Sequence, residues 1–344
     1  MPNGRVWWAA FGPRHNPRMP TPDARPRLCL VTPAFADANN GNWQTAQRWA
    51  RLLAPAWRVR LARAWPDGEP ADALLALHAR RLAASVAAWA EAHPNRPLVL
   101  ALTGTDLYRD IATDASAQRS LALAHRLIVL QERAPLTVPE RWRDKCRVVF
   151  PSGTPWRSLP KTERHLRVVV LGHLRAEKAP EVVFQAARAI APDEGILIDH
   201  IGAALEPRWA DAAQATAQAC PHYRWFAGLP HLAARRRLQR AHLLLHPSAM
   251  EGGAHAVMEA MLSGTPVLAS RVDGNVGMLG EGYGGYFPPG DVPALVARLR
   301  ALRQELGAPR SALAALQAQC RERAALFRPD TEQARLIDCL ARWP

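Results

Sequence analysis

The apolar residues of this chain fall into short blocks whose spacing switches repeatedly between a strand period and a helix period. The first block, Arg27–Phe35 (RLCLVTPAF), is the near-continuous run that a strand buried on both faces produces. A polar turn is expected over Ala36–Asn42 (ADANNGN). Trp43, Ala46, Ala50 and Leu53 then recur at helical spacing over Trp43–Leu53. Strand-like segments return at Arg58–Ala62, Ala73–Leu77, Pro97–Leu102, Leu127–Leu130 and Arg147–Phe150. Helical segments Arg81–Ala92 and Ser116–Ala124 lie between several of them. Alternation of this kind predicts parallel strands joined by crossover helices, hence an α/β sheet covered on both faces.

Pro151–Arg164 (PSGTPWRSLPKTER) breaks the pattern and reads as a linker. A second series then begins with strand Leu166–Leu171, helix Glu181–Ile190, strand Ile196–Ile201, helix Arg208–Ala219 and strand Tyr223–Ala227. It continues through helix Leu232–Arg240, strand His242–His246, helix His255–Leu262 and strand Pro266–Ser270, and the tail from Val292 is helical. The expected organisation is two Rossmann-like, doubly wound domains, 27–155 and 156–328, facing each other across a cleft. Residues 329–344 should form a C-terminal helix that packs back towards the first domain. Residues 1–26 hold six prolines and no sustained period, and their apolar run, Val6–Ala10, is too short for a signal-peptide core. They read as a disordered extension.

Composition narrows the classes. The chain has 344 residues, 49% of them apolar and 22% charged, which suits a folded two-domain protein and excludes collagen-like or low-complexity chains. No stretch approaches the roughly 18 apolar residues that span a bilayer. The five cysteines are scattered and form no Cys-x-x-Cys pair, pointing to a reducing, cytoplasmic setting and away from a structural zinc site. The net charge of +14 comes from arginine: only Lys145, Lys161 and Lys178 are lysines. Such a surface attracts polyanions or small phosphorylated molecules, but an arginine-biased composition alone also produces it.

Five segments carry candidate chemistry. In Glu251–Ala260 (EGGAHAVMEA) a strand ends, Gly252 and Gly253 form a loop, and a helix begins near Ala254 or His255. Glu251 lies before that helix and Glu259 more than a turn into it, beside free N–H groups that suit an anion or hydroxyl. A capped helix with an acid at each end has the same spacing. In Leu171–Pro180 (LGHLRAEKAP), Gly172 closes a strand, Pro180 suits a first helical turn, and Arg175 and Lys178 lie between, as at a phosphate site or a solvated loop. Asn39–Trp43 and Leu102–Ile111 (LTGTDLYRDI) place Gly41, Thr103, Gly104, Thr105 and Asp106 at first-domain strand ends. Asp273–Asp291 is glycine-rich and reads as a flexible, ligand-covering loop, since Pro288–Pro289 follows where a dinucleotide-binding helix would start. No Asp-x-Asp, Gly-Lys pair, G-x-S-x-G or H-E-x-x-H occurs, and no helix-turn-helix or zinc-finger signature points to nucleic acid.

From Arg27 onwards these pieces resemble the nucleotide-sugar glycosyltransferases of GT-B architecture, family 4 type. The resemblance implies that Glu251 binds the donor sugar and Glu259 the nucleotide ribose. Gly172 to Lys178 would bind the diphosphate, with His173 where that family usually has arginine and Arg175 displaced by two residues. Gly41 and Asn42 would lie over the diphosphate, with Gly252, Gly253, Ala254 and Asn275 completing the donor side. GNWQTAQRW, ALHARR (Ala76–Arg81), LTGTDLYRDI, GHLRAEKAP and the Asn275–Asp291 loop are also similar to the selenosugar synthases of selenoneine biosynthesis. That narrower similarity implies transfer from UDP-N-acetylglucosamine or UDP-glucose to selenophosphate, with Glu251, Lys178 and Arg175 catalytic. Arg109, Arg80 and Arg81 would meet the acceptor anion, together with His78, Thr103, Thr105 and Asp106. The implied partners are small phosphorylated substrates, with handover to other enzymes of that pathway, and no metal, cofactor, nucleic acid or transmembrane segment. Two alternatives stand beside this reading. One is a family-4 hexosyltransferase acting on a hydroxyl acceptor, with a base near Asp106 or His78. The other is a basic, non-enzymatic protein that binds nucleic acid or a membrane surface.

Overall fold

The computed structural model describes residues 24–34 and 41–341. Residues 1–23 of the proline-rich extension and most of the polar turn before the first helix lie outside it. Two six-stranded sheets, parallel throughout, organise the chain. The first contains β1 (Arg27–Val31), β2 (Arg58–Ala62), β3 (Ala73–Leu77), β4 (Leu98–Leu102), β5 (Arg126–Val129) and β6 (Cys146–Val148), in the order β2-β1-β3-β4-β5-β6. The second contains β7 (Leu166–Leu171), β8 (Ile196–Ile201), β9 (Tyr223–Phe226), β10 (Leu243–His246), β11 (Val267–Ser270) and β12 (Tyr286–Phe287), in the order β12-β11-β10-β7-β8-β9.

Helices α1 (Gly41–Leu53), α2 (Ala83–Ala92), α3 (Ile111–Thr113), α4 (Ala115–Leu123) and α5 (Ala134–Thr137) accompany the first sheet. With the second run α6 (Pro180–Ala189), α7 (Pro207–Ala219), α8 (His231–Arg240), α9 (His255–Leu262), α10 (Asp273–Leu279), α11 (Val292–Gln304) and α12 (Ala312–Arg323). Helix α13 (Pro329–Leu340) ends the described chain. Among the described residues no helix is long and apolar enough to cross a membrane.

The sequence pattern explains the layers. β3 (ALLAL) and β4 (LVLAL) are buried at every position because helices cover both faces, whereas the edge strand β2 (RVRLA) carries arginines at Arg58 and Arg60. Helix α1 buries Thr45, Ala46, Trp49 and Leu53, one stripe of a helical wheel. On the same face of the first sheet lie Leu336, Cys339 and Leu340 of α13, packed with Leu28, Leu30 and Trp49. The final helix has thus crossed back from the second sheet and completes the core of the first. Several strands are shorter than the apolar runs suggested: Pro97 and Pro266 stay outside β4 and β11 because proline offers no N–H to a ladder.

One expectation is overturned. Asp273–Asp291 is not a flexible cover: its first seven residues form α10, where Gly274 to Leu279 are buried, and β12 follows. Its glycines serve close packing, as a side chain at Gly274 would strike the Glu251 carbonyl and one at Gly277 the Gln131 amide.

Strand order also locates the clefts. Parallel sheets bind ligands beyond the carboxyl ends of the strands where the winding direction reverses. In the second sheet that reversal lies between β7 and β10, and in the first between β1 and β3.

Candidate active site

Both second-domain motifs emerge at the β7/β10 crevice. After β7, Gly172 adopts φ +149°, a value that disfavours any side chain, and the Lys178 stem lies over its Cα. A single 3₁₀ turn, Ala176–Lys178, leads to Ala179 at φ 46° and ψ 53°, and Pro180 opens α6. A left-handed alanine is strained by an amount of order 1–3 kcal/mol and persists only where its surroundings over-determine it. Here the 3₁₀ turn and the docking of the next loop do so: the Glu177 carbonyl accepts N–H bonds from Ala249 and Met250, at 3.0 and 3.3 Å.

After β10 the chain runs through His246 to Glu251, which is 8% exposed. Its Oε1 accepts from Lys178 Nζ and, at 3.0 Å, from His246 Nε2. Burial opposes charge on this carboxyl, yet Lys178 and His246 outweigh it and hold its pKa well below the usual range. Burial pushes the His246 pKa down despite Glu251, so a neutral imidazole donates its Nε2 proton to the carboxylate. Ser248 Oγ lies 3.3 Å from the same nitrogen. Ala254 caps α9, and His255 opens it.

Glu259 sits further along α9, where its Oε1 pairs with His231 Nε2 at 2.9 Å. That bond raises the His231 pKa. Arg175 Nε and, from the first domain, Arg109 Nη1 each lie 3.8 Å from the Glu177 carboxylate. His173 turns inward, and its Nδ1 has no hydrogen-bond partner among the described residues. Asn275 is wholly buried, with Nδ2 donating to the Ser270 carbonyl at 2.9 Å and to Ser270 Oγ at 3.1 Å. It therefore buttresses the crevice from below.

The first domain supplies the opposite wall. Asp106 is fully buried; Oδ1 accepts from the N–H groups of Thr103 and Gly104 at 2.9 Å each, and Oδ2 from Ala79 at 3.0 Å. It holds the 103–105 turn in shape. His78, at φ 113°, is buried; its Nδ1 accepts from the Arg81 N–H at 3.3 Å, which leaves Nε2 to donate to Thr105 Oγ1 at 3.2 Å. Burial lowers its pKa, in keeping with that neutral tautomer. Asp106–Asp110 forms a π-helical turn, a widened geometry frequent at functional sites. From it Asp110 meets Arg80 at 2.9 Å and Arg109 at 3.3 Å.

The two walls touch. A Cβ built at Gly252 would lie 2.3 Å from the Thr103 carbonyl oxygen, and one at Gly253 2.6 Å from Leu130 Cβ. These glycines let the Glu251 loop rest on the 103–105 turn. Gly252, next to Glu251, thus meets Thr103 and Gly104, and Arg109 reaches across to Glu177. Gly41 and Asn42 open α1, but a side chain at Gly41 would meet nothing within 4 Å. Sequence spacing did not single out His246 or His231; the His-Pro-Ser string at the end of β10 is the signal that points to His246. Among the described residues no group of three or more His, Cys, Asp or Glu could hold a metal ion.

Residues 157–322 match the family model of glycosyl transferases, group 1. No curated protein sequence matches the chain. Among solved structures, Anabaena HepE in complex with UDP-glucose aligns with a TM-score of 0.70 at 14% identity, over 92% of this chain and 99% of that one. A sucrose-phosphate synthase from Thermosynechococcus elongatus gives 0.68 at 17% identity, over 91% and 98%. The lipopolysaccharide outer core galactosyltransferase WaaB in its apo form gives 0.67 at 14%, over 91% and 99%. Residues 157–322 are thus similar to the group 1 glycosyl transferases, and the whole chain has the GT-B fold expected from its sequence.

Proposed function

We propose that this protein is a metal-independent glycosyltransferase that moves a hexosyl group from a UDP-sugar to an anionic acceptor, selenophosphate. The observation that carries the reading is the buried Glu251 carboxylate, shared by Lys178 and His246 at the mouth of the β7/β10 crevice, where α6 and α9 both begin. Two helix N-termini and an ammonium there suit a diphosphate, and a fixed carboxylate suits sugar hydroxyls. The matched family and the UDP-glucose bound by HepE support the same donor class.

In this reading Glu251 orients the hexose and Glu259 holds the ribose hydroxyls. Lys178, Arg175 and the α6 N-terminus stabilise charge that grows on departing UDP. The selenium of selenophosphate attacks the anomeric carbon, the bond from that carbon to the diphosphate oxygen breaks, and UDP leaves with the electron pair. Water then cleaves the phosphorus–selenium bond, releasing phosphate and the 1-seleno-sugar.

The acceptor side favours a nucleophile that arrives already ionised. Asp106 has both oxygens filled by backbone N–H groups, and neutral His78 spends its Nε2 proton on Thr105, so neither is poised to deprotonate a hydroxyl. Arg80, Arg81 and Arg109 supply positive charge beside them. Incubation with UDP-glucose or UDP-N-acetylglucosamine and selenophosphate, followed by mass spectrometry, tests this directly. A selenium-containing sugar with stoichiometric UDP is expected. UDP release only with a hydroxyl acceptor would overturn the selenosugar assignment and leave a hexosyltransferase. Salt-sensitive DNA retention without UDP binding would overturn both.

A further inference from the structure

Outside the crevice, one carboxylate gathers more hydrogen bonds than any group in the site. Glu332, 1% exposed on α13, accepts from Arg48 Nε at 3.0 Å and Nη2 at 3.1 Å, from Trp49 Nε1 at 2.6 Å, and from the N–H of Ser152 at 2.9 Å, with the Ser152 hydroxyl added. The donors come from distant stretches of chain. Arg48 and Trp49 belong to α1, Ser152 to the segment leaving the first domain, and Glu332 to the helix that returns to it. Such a saturated, buried pair fixes the guanidinium as a planar fork.

Arg48 has one nitrogen left over, and it points across the domain boundary. Nη1 lies 3.0 Å from Nε2 of His255, the first residue of α9, four positions after Glu251. A guanidinium only donates, so His255 accepts through Nε2 as a neutral imidazole. Burial, Arg48 and Lys178 all favour that state and push its pKa down to about 3. The α9 N-terminus is therefore tied to a first-domain residue that is itself anchored at the crossing point of the chain.

We infer that Arg48 is a positioning residue: anchored by Glu332, it holds His255 and with it the α9 N-terminus and Glu251 loop against the first-domain 103–105 turn, setting the closed spacing of the donor crevice. The inference concerns spacing between the walls, and only its effect on the donor rests on the function proposed above. His255→Ala removes the cross-domain bond and leaves the Glu332 anchor intact. His255→Gln restores an acceptor, and Arg48→Met removes the donor together with the Glu332 pair.

Two readouts are taken on each purified full-length variant. The first is hydrogen exchange of peptides covering residues 101–107, which no substitution touches but which rest on Gly252. The second is UDP affinity by calorimetry. In His255→Ala exchange of 101–107 should rise several-fold while β3 and β4 keep their protection. UDP binding should weaken about tenfold, the scale of one hydrogen bond to a charged group, and His255→Gln should recover most of both effects. The double variant should be little worse than the Arg48 variant alone, because the cross-domain bond is already lost there, the mark of a shared interaction. Unchanged exchange at 101–107 in His255→Ala, or strictly additive effects in the double variant, overturns the inference. Absence of UDP binding by the wild type would instead overturn the donor-site reading, and the exchange arm then decides this inference alone.

Discussion

Replacing Lys178 by methionine separates a structural ion pair from a group that acts on the diphosphate. Methionine keeps the stem that covers Gly172 and removes only the charge. Removing one partner of a buried pair costs about 3–5 kcal/mol when the other charge is left uncompensated. Here Glu251 retains His246, and the Lys178 side chain is 20% exposed, so the loss should be smaller, about 2 kcal/mol. For a unit of this size that lowers Tm by roughly 4–8 °C. If Lys178 also stabilises the leaving diphosphate, kcat should fall about 100-fold, equal to about 2.7 kcal/mol of transition-state stabilisation. Lys178→Met combined with Glu251→Gln neutralises both partners and should recover most of the Tm loss but none of the activity. Scanning calorimetry and a coupled UDP-release assay read the two quantities. A melting change with kcat/KM kept within threefold of wild type would show that Lys178 merely balances Glu251, and would refute its assignment to the diphosphate.

Four further outcomes follow from the same geometry. Because folding lowers the Glu251 pKa, its contribution to stability is present above the ordinary value of 4.5 and is lost as pH falls towards the folded value; in Lys178→Met, which brings the folded value closer to 4.5, the acid-side loss of Tm from this group should be smaller and end at higher pH. Folding raises the His231 pKa through Glu259, so that pair contributes fully below pH 6.5 and fades as pH rises through the folded value; Glu259→Gln should return the His231 NMR titration towards 6.5. Gly252→Ala drives a methyl into the Thr103 carbonyl, so the walls must part, with about 1–3 kcal/mol lost in thermal melts and UDP affinity reduced at least tenfold. Asp106→Asn places an NH₂ against the Ala79 N–H and should cost about 1–3 kcal/mol without introducing a new ionisation into the pH–rate profile.

The strands were legible because a doubly covered parallel sheet leaves little choice of composition. Leu166–Leu171 and Ala73–Leu77 appear in the structure with the bounds their apolar runs suggest. The glycine-rich stretch misled for a physical reason: Gly274 and Gly277 look like chain breakers, yet they sit in α10 because neighbouring groups leave no room for a Cβ. Lysine rarity was only half informative. Lys145 Nζ donates to the carbonyls of Leu121, Ala122 and Ala124 at the end of α4, and Lys161 to that of Ala241 at the end of α8. All three lysines therefore use a compact ammonium that a planar guanidinium would replace poorly, and only Lys178 does so in the crevice. Arg48 and Glu332 carried no signal, since 284 positions separate them and neither belongs to a local period.

Helix α13 has a consequence for how the protein is made. Leu336, Cys339 and Leu340 fill the face of the first sheet that also holds Leu28 and Leu30. During synthesis α1 can cover only part of that face, and the rest stays open until residues 329–340 have followed the whole second unit, so of the two units the one made earlier is sealed later. Cutting the gene in the 151–164 linker would leave an amino-terminal fragment with a strip of its own core missing, prone to self-association until a peptide carrying α13 is supplied. The order in which the two units are encoded is therefore the reverse of the order in which they can be completed.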